Sequence, residues 1–343
     1  MAAITGSSLS TVYPVRHPHW LLSYAGKNIS ADVSKMVIEI TYTDHESHLS
    51  DEIEVQLEDR DKRWQGPWYP SQGDSLNLQI GYADEPLLPC GNFEIDELEL
   101  DGGAGGDIFH IKGIGAGITP SLRTPISAGY ENQTLLQMAN TIAARHSLSV
   151  RGSPAALNLQ FARVTQNNET DLAFLQRLAN RYNYDFSVRG KTLVFYARNQ
   201  LEQAPAVYTI SRRNVTRFHF KGRTHHVYKA AVVSYLSPQS KQLITQSVSA
   251  SPAGPNGDTL NIPERAESQQ MALARAQAQL HDANMLAATG TLTTPGTVNL
   301  MAGLTIAVQG FGVHDGNYLI TSAHHRLTRA GGYSTETEVR RVS

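Results

Sequence analysis

The sequence predicts a mainly β protein in which two related β-barrels are separated by a small α+β insert. Three observations lead to this prediction. Long stretches alternate apolar and polar residues with the period of two that half-buried strands show, and one interval between them changes to helical spacing. The third observation is an internal repeat, in which two distant segments share one order of strands and glycine turns. We therefore expect a first barrel at 1–117, an α/β insert at 118–200 and a second barrel at 201–343.

The first barrel is predicted from apolar residues at every second position. Three stripes of this kind indicate three strands that each bury one face. The stripes are Met36, Ile38, Ile40 and Tyr42, then Ile53, Val55 and Leu57, and then Leu76, Leu78 and Ile80. Turn-forming residues at 26–28 and 44–50 separate the early strands, so the strands are expected to be antiparallel.

The insert is predicted from the change to helical spacing. Four apolar residues share one stripe of a helix at 134–146, namely Leu135, Ala139, Ile142 and Ala143. A second helix is expected at 168–182, with Asn168 as its cap. Glu169 and Asp171 fall in its first turn, where the helix dipole favours acidic side chains. A strand hairpin completes the insert.

The second barrel is predicted from the return of alternating residues after Val207. The expected elements are strands at 227–236 and 243–248, a polar loop at 252–263, an Ala-rich helix at 268–286 and strands from 297 to 342. Pro263 stands where a helix could begin, because proline is well accepted at the first helical position.

The internal repeat links the two barrels. In both copies an alternating strand leads to a glycine–aromatic break, a strand that opens Gly-Asn-aromatic-x-Ile, a glycine turn and a return strand. The first copy comprises 73–82, 91–95, 102–106 and 108–111, and the second comprises 303–311, 316–320, 331–332 and 333–339. A repeated β unit indicates that one barrel or sandwich was duplicated. We expect this duplication to serve symmetry rather than chemistry.

Composition limits the possible functions. The formal net charge of −2 over 343 residues gives no support for a general nucleic-acid or anionic-membrane binder. No stretch approaches the ~18 apolar residues of a membrane span, and residues 1–20 lack the basic start and apolar run of a signal peptide. Cys90 is the only cysteine, which excludes intrachain disulfides and cysteine-rich zinc sites. We expect a soluble protein that folds in a reducing cytosol.

Histidine-rich segments do not form a metal motif. Residues 45–48 read His-Glu-Ser-His, but a zinc-protease helix needs two residues between the glutamate and the second histidine. The doublets at 225–226 and 324–325 place neighbouring side chains on opposite faces of a strand, which disfavours a shared metal ion.

Candidate phosphate and acid–base sites also fail. The glycines at 113, 115 and 117 do not precede a helix, so they offer no helix N-terminus to a phosphate. Glu169 and Asp171 lie two positions apart on a helix, so they cannot flank one bond. We predict no catalytic residue, no metal ligand and no cofactor.

An aromatic loop offers the only interface candidates. Trp64, Trp68 and Tyr69 lie in a loop rich in proline and glycine, and exposed aromatic side chains of this kind anchor protein interfaces. The alternative is that the loop folds back over its own barrel. The sequence leaves both possibilities open.

Four segments, in order along nearly the whole chain, share a pattern with known proteins. They are 50–59 with Pro70 and the strand at Gly73, 91–97, 166–179 and 315–333. The most specific is Gln166-Asn-Asn-Glu169-Thr-Asp171-Leu-Ala-Phe174-Leu175-Gln-Arg177-Leu178-Ala179, which resembles a family helix of the form Q-x-x-E-[ST]-D-x-x-F-L-x-R-L-A. On these residues the chain resembles the phage late control gene D proteins, which are baseplate hub proteins of contractile phage tails and phage-like bacteriocins. The N-terminal region of type VI secretion spikes is related, but the β-prism repeat of those spikes is not found here, which favours a separate hub.

The resemblance implies both a fold and a role. Family hubs are trimers whose subunits each supply two tandem tube-protein-like β-barrels, so that three copies form a pseudo-sixfold ring. The implied function is a structural symmetry adapter, not an enzyme, that joins a trimeric spike to the hexameric tail tube. The implied partners are a homotrimer, the spike, a tail tube protein or tube initiator and other baseplate proteins, with nucleic acid only if DNA passes through the channel and no membrane binding. The implied location is a virion or tailocin baseplate, assembled in the bacterial host cytoplasm.

Two other functions remain open. Some hubs carry lytic domains, so a tail-associated peptidoglycan hydrolase is one alternative, which would need an appended domain with paired acids. The other alternative is a carbohydrate- or receptor-binding β module that uses Trp64, Trp68 and Tyr69.

Overall fold

The computed structural model describes residues 15–46, 50–115, 122, 124–236, 241–250, 258–262 and 269–342. The first region is built almost entirely from strands. They are β1 (Pro18–Tyr24), β2 (Lys27–Asn28), β3 (Val37–His45), β4 (Glu52–Glu58), β5 (Ser75–Tyr82), β6 (Leu88–Gly103) and β7 (Gly106–Gly115). A single helical turn, α1 (Ser30–Val33), precedes β3.

Helices enter in the middle region, and strands return after it. The middle elements are β8 (Ile126–Thr134), α2 (Leu135–Arg145), β9 (Ser149–Gly152), α3 (Pro154–Leu157), β10 (Gln160–Glu169), α4 (Asp171–Arg181), β11 (Tyr184–Arg189), β12 (Thr192–Ala197) and α5 (Arg198–Glu202). The later elements are β13 (Tyr208–Ser211), β14 (Arg217–Gly222), β15 (Ala230–Leu236), β16 (Leu243–Ser249), β17 (Thr259–Ile262), α6 (Gln269–Asn284), β18 (Ala288–Pro295), β19 (Thr305–Gln309), β20 (Gly316–Thr328) and β21 (Gly332–Arg341).

One large sheet joins the first and last regions. Its strands follow the order β14-β18-β21-β20-β3-β4-β7-β6-β5-β1-β2, and β19 lies beside β20 with β13 at its other edge. All of these neighbours are antiparallel except β13 and β19, which run parallel. Three smaller sheets of two or three strands accompany the helices. The chain is therefore mainly β with few helices, as the sequence predicts.

The predicted apolar stripes point into the core of the first region. Ile40, Val55 and Leu78 are fully buried at the centres of their strands. The prediction is wrong at the start of β3, where a register shift between Val37 and Glu39 marks a β-bulge. The bulge reverses the alternation, so Val37 is buried while Ile38 is only half-buried.

The two helices predicted in the insert are present. Thr134 caps α2 in a capping box with Gln137, in which each side chain bonds the other residue's backbone N–H. The cap predicted for α4 is wrong, because Thr170 and not Asn168 accepts a hydrogen bond from the N–H of Ala173 at 3.1 Å. Thr170 has the extended backbone of an N-cap.

No helix of the described residues combines the length and apolar character that a membrane crossing requires.

The predicted polar loop at 252–263 contains a strand. Residues 259–262 form β17, which pairs in parallel with β15 and buries Ile262. The helix start predicted at Pro263 lies outside the described residues. The Ala-rich helix itself is present as α6.

Apolar side chains gather in three cores. One core fills the first region, and a second fills the space under β18–β21. The third core combines the helices of the middle region with β15, β17 and α6. Helix α6 therefore packs with the middle region, whereas the sequence order assigns it to the second barrel.

Candidate assembly interface

The internal repeat is visible in the backbone hydrogen bonds. Strands β5-β6-β7 and β19-β20-β21 form equivalent antiparallel meanders. The carbonyl of Ile95 accepts a bond from the N–H of Gly73, and the carbonyl of Ile320 accepts one from the N–H of Gly303, both at 2.8 Å. A β-bulge follows each isoleucine in its pairing with the next strand. Ile95 and Ile320 are thus the same position in two copies of one unit.

The equivalence extends to the neighbouring strands. Each copy contributes a four-stranded unit, β6-β7-β4-β3 in the first and β20-β21-β18-β14 in the second. Ile53 of β4 pairs with Gly113 of β7, as Gly290 of β18 pairs with Val339 of β21. The last strand of the first unit, β3, then pairs with the first strand of the second, β20. The result is one continuous run of eight strands from β6 to β14.

The joint between the two units is filled on both faces. On the apolar face Tyr42 lies opposite His325, and their rings stack with centroids 5.8 Å apart. The Nδ1 atom of His325 lies 2.8 Å from the hydroxyl of Tyr333, and its Nε2 atom lies 3.0 Å from the carbonyl of Leu300. Burial lowers the pKa of His325 to about 4, so the ring is neutral at pH 7.

The polar face of this joint carries an ion pair. Arg326 donates two hydrogen bonds to the carboxylate of Glu39, at 2.7 and 2.6 Å. Beside it, Nδ1 of His324 lies 2.8 Å from the hydroxyl of Thr43. Burial lowers the pKa of His324 as well. The joint therefore combines an apolar layer with a hydrogen-bonded polar layer.

The two ends of the eight-stranded run are open. Residues 97–103 of β6 pair with β7 on one side, and 217–222 of β14 pair with β18 on one side. Within the described residues neither segment has a backbone partner on its other side. Leu100 and Phe218 lie on these edges with 46% and 43% of their surfaces exposed. Unpaired edges with exposed apolar side chains are typical of strands that another chain covers.

Charges of opposite sign occupy the two open edges. Glu97, Glu99 and Asp101 project from one face of β6, and Lys112 of β7 reaches the first two at 3.0 and 3.1 Å. His110 lies 3.4 Å from Asp101. On β14 the alternating residues are basic or aromatic, in the order Arg217-Phe-His-Phe-Lys221. This edge was not predicted from the sequence, although the alternation of basic and aromatic residues was its signal.

The aromatic loop divides into a buried and an exposed part. Trp64 is buried and stacks on Phe109 with centroids 5.6 Å apart, while Trp68 packs edge-on against Trp64. Tyr69 is 58% exposed, with its ring 5.7 Å from that of Phe109. Since Leu100 is the β6 partner of Phe109, Tyr69 and Leu100 flank the same side chain. The loop thus folds back through Trp64 and leaves Tyr69 at the surface.

The helix motif of residues 166–179 contributes to a buried polar cluster around Asp171. Asp171 accepts a bond from Gln166 at 2.9 Å and lies 2.8 Å from Nε2 of His146. Arg145 also reaches both of its oxygens at 3.3 Å. The cluster fixes α4 against α2 and the end of β10. Asp171 lies in the first turn of α4, as predicted, with its carboxylate buried, whereas Glu169 is the last residue of β10 and does not belong to the helix.

Charged side chains also fasten the middle region to the large sheet. Arg189 donates to Asp51 at 3.1 Å and to the carbonyl of His45. Arg340 pairs with Glu46 at 3.4 Å and also with Glu202. Burial raises the pKa of Glu46 to about 7, although Arg340 acts against this shift. These contacts hold the two parts together.

The histidine segments do not form a site in the described part of the chain. His48 lies outside the described residues. His225 and His226 lie in a turn with their rings tilted against each other and centroids 4.0 Å apart, so the prediction that this doublet points to opposite faces of a strand is wrong. Among the residues that the structure describes, no three histidine, cysteine or acidic side chains come close enough to hold a metal ion.

Comparisons with known proteins point to one family. The sequence model of the phage tail baseplate hub (GPD) family matches residues 121–331. Probable baseplate hub proteins of Escherichia phages 186 and P2 are 25% and 26% identical to this chain over 235 and 224 residues. The matches cover 67% and 64% of this chain and 59% and 56% of the relatives, so the chain spans less than two thirds of their length.

Solved structures share the fold. The tail protein from Neisseria meningitidis MC58 superimposes with a TM-score of 0.70 at 15% identity, over 95% of this chain and 97% of that protein. The 43 kDa tail protein of prophage MuSo2 from Shewanella oneidensis gives 0.73 at 17% identity, over 94% and 98%. An Escherichia coli component of the type VI secretion system gives 0.57 at 16% identity, over 90% and 74%. Since the family match spans more than half of the sequence, the chain belongs to the phage tail baseplate hub family.

Proposed function

We propose that this protein is a trimeric symmetry adapter that joins a trimeric spike to the hexameric tail tube of a contractile tail. The duplicated four-stranded unit is the observation that carries the proposal. Three copies of the chain would place six similar units in a ring, whereas the middle region would occur only three times. Such a ring could meet a sixfold partner on one face and a threefold partner on the other, because interfaces must match the symmetry of both sides.

The sheet topology supports this arrangement. Each chain offers eight strands from β6 to β14, with one open edge at each end. Head-to-tail contacts between unlike edges close into a ring when the rotation allows it. Three chains would then line one channel with roughly twenty-four strands and cover both open ends of each eight-stranded run. In this proposal the tube-like barrels correspond to about 1–117 and 201–343 and the insert to 118–200, except that β15, β17 and α6 pack with the insert.

The polar face of the sheet would form the channel wall. Along the paired registers from β6 to β14 its acidic side chains outnumber its basic ones. The acidic residues include Glu39, Glu52, Glu54, Glu97, Glu99, Glu336 and Glu338, and the basic ones include Lys112, Arg217, Lys221 and Arg326. A wall of this sign would repel phosphates, so DNA would pass without being held.

The aromatic loop would contribute to contacts between subunits. Tyr69 is exposed and Trp68 is half-buried, so both can contact a neighbouring subunit, while Trp64 supports them from below. Exposed tyrosines beside an apolar patch are typical anchors of interfaces. The remaining partners would be the spike, the tail tube protein or a tube initiator, and other baseplate proteins. Assembly would take place in the host cytoplasm, and the mature site would be the virion or tailocin baseplate.

The solution mass tests the proposal. Light scattering of the purified chain, alone and co-expressed with its candidate spike protein, should give three times the chain mass in at least one condition. Averaged particle images should then show a ring with six similar lobes. A protein that stays monomeric both alone and with the spike would contradict the adapter role.

A further inference from the structure

We propose that β14 of one subunit pairs antiparallel with residues 97–103 of β6 in a second copy of this chain, in the register of the joint between β3 and β20. This pairing rests on the proposed ring and identifies the strands through which its subunits would meet. The pairing follows from the equivalence of the two four-stranded units. In the filled joint the first strand of one unit, β20, receives the last strand of the other, β3. The two strands left over are β6, the first strand of the first unit, and β14, the last strand of the second unit.

The register follows from the pairing already present. In the first unit Tyr42 pairs with Ile53, and in the second unit Phe220 pairs with Gly290 at the equivalent position. Tyr42 lies opposite His325, which is five residues after Ile320 as Leu100 is five after Ile95. Phe220 of one chain is therefore expected opposite Leu100 of the next.

The same register places opposite charges face to face. It sets Glu97 opposite Arg223, Glu99 opposite Lys221 and Asp101 opposite His219. All three acids project from one face of β6, because they alternate along the strand. Directly opposite side chains of an antiparallel pair lie close enough for favourable ion pairs. Among the described residues Lys112 pairs with both Glu97 and Glu99, and each carboxylate has room on its exposed side for a further cation.

The ion pair of the filled joint recurs with reversed polarity. Arg326 and Glu39 form a diagonal pair across β20 and β3. Their equivalents are Asp101 on β6 and Arg217 on β14, so the acid now lies on the first strand of the unit and the base on the last. An exchange of the two joints would bring Arg217 to Arg326 and Glu39 to Asp101. Like charges would then meet, which disfavours the wrong pairing.

The apolar face supports the same contact. Leu100 and Phe218, both more than 40% exposed, would lie on the covered face of the joint, opposite Phe220 and Gly102. At the equivalent positions of the filled joint, His325 and Ile40 are fully buried. Tyr69 flanks the same region through Phe109, so it would approach the ring of the incoming Phe218 or Phe220. Burial of these side chains is favourable for association.

A disulfide tests the register directly. Opposite residues of an antiparallel pair have Cα atoms about 4.5–5.5 Å apart, a separation that a disulfide can span. In a Cys90→Ala background, the variant Glu99→Cys with Lys221→Cys should form covalent dimers and trimers under mild oxidation. The matched control, Glu99→Cys with Gly222→Cys, shifts one partner by a single residue and turns it to the other face. This control should cross-link at least tenfold less.

Charge exchange provides a second readout that needs no oxidation. Lys221→Glu should weaken trimer formation at least tenfold, because Glu99 would meet a like charge. Adding Glu99→Lys to the same chain should restore the trimer. Light scattering measures both variants, and circular dichroism confirms that each is folded.

The outcomes separate this inference from the adapter role. A trimer by mass that gives no cross-link in register, or more cross-link in the control, would overturn the strand pairing and leave the adapter intact. A protein that is monomeric alone and with its spike would overturn both. A covalent trimer from the in-register variant alone would support both.

Discussion

The joint between β3 and β20 and the open edges of β6 and β14 are equivalent places in two copies of one unit, yet only the first is filled within the chain. At the filled joint Tyr42 and His325 stack in a buried layer. At the equivalent place on β6, Leu100 remains 46% exposed. A single chain thus satisfies one edge of each unit and leaves the other edge for a neighbour. The comparison explains how an internal duplication can specify an assembly.

The largest expected effect comes from opening the filled joint. Tyr42→Ala should lower the free energy of unfolding by about 3–5 kcal/mol, because it removes a fully packed aromatic side chain. Leu100→Ala, on the open edge, should change the unfolding of the isolated chain by no more than about 0.5 kcal/mol. Urea denaturation of monomeric protein at low concentration measures both values.

For the stability of the trimer, we expect the side chain on the open edge to matter although it contributes little to the folding of one chain. Leu100→Ala should weaken the trimer in light scattering, although it leaves the isolated chain intact. An equal loss of unfolding free energy in the two variants would mean that the open edge is already covered within one chain. That result would remove the distinction on which the comparison rests.

Sequence reasoning predicted the units better than the way they meet. Alternating stripes around Val55 and Leu78 identified the strands because one face of each strand packs against a core. The bulge at Val37 and the cap at Thr170 were missed, since both depend on tertiary contacts and not on local spacing. The pairing of β3 with β20 joins residues nearly three hundred positions apart, and no local pattern encodes such a contact.

The interface candidates illustrate the same limit. Trp64, Trp68 and Tyr69 were predicted together from composition alone, but the loop turns Trp64 inward and Tyr69 outward. The basic strand at 217–221 carried an equally clear alternation. It was overlooked because an open edge can be recognised only after its neighbours are known.

The second effect is the pH dependence of stability that the buried His325 should cause. His325 occupies the position in the filled joint that Leu100 occupies on the open edge. The pKa of His325 is about 4 in the folded chain and 6.5 in the unfolded chain. Between pH 6.5 and pH 4 the ring is therefore protonated in the unfolded chain but not in the folded chain. Its contribution is present above pH 6.5 and is lost as pH falls towards 4, by about 3 kcal/mol in total.

The variant His325→Gln tests this assignment. Its free energy of unfolding should fall less steeply than that of the parent between pH 6.5 and 4, as measured by urea denaturation at each pH. The exposed His19→Gln serves as the control and should keep the parent slope. Parallel slopes for His325→Gln and the parent would show that burial of this ring does not govern the acid response.

The third effect compares two glycines at equivalent positions, Gly91 inside β6 and Gly316 at the start of β20. Gly91 and Gly316 have φ values of +112° and +146°, a region that other residues enter only with strain. Alanine at either position should cost about 1–3 kcal/mol. Gly316→Ala should cost more, because its added Cβ would lie 3.0 Å from a guanidinium nitrogen of Arg341, and displacing this group would break its hydrogen bonds to the carbonyls of Val313 and Asp315. Thermal denaturation of the two variants ranks them, and a smaller loss at Gly316 would contradict the proposed steric effect of Arg341.

The smallest expected effect is the difference between the ion pair of Arg326 with Glu39 and its proposed equivalent, Asp101 with Arg217. Arg326 is half exposed, so its pair with Glu39 should contribute about 0.2–1 kcal/mol to the unfolding of the isolated chain, and less at high salt. A double-mutant cycle with Arg326→Ala and Glu39→Ala measures this coupling. The equivalent cycle with Asp101→Ala and Arg217→Ala should show no coupling in unfolding, because these residues lie at opposite ends of one sheet.

In the trimer, the Asp101 and Arg217 cycle should show a coupling of the same size as the Arg326 and Glu39 pair. The isolated chain and the assembly would then carry the same pair of charges at two equivalent joints, one formed on folding and the other on association. Coupling between Asp101 and Arg217 already in the isolated chain would mean that its two edges meet without a partner. In that case the sheet would close on itself, and no ring would be needed to cover it.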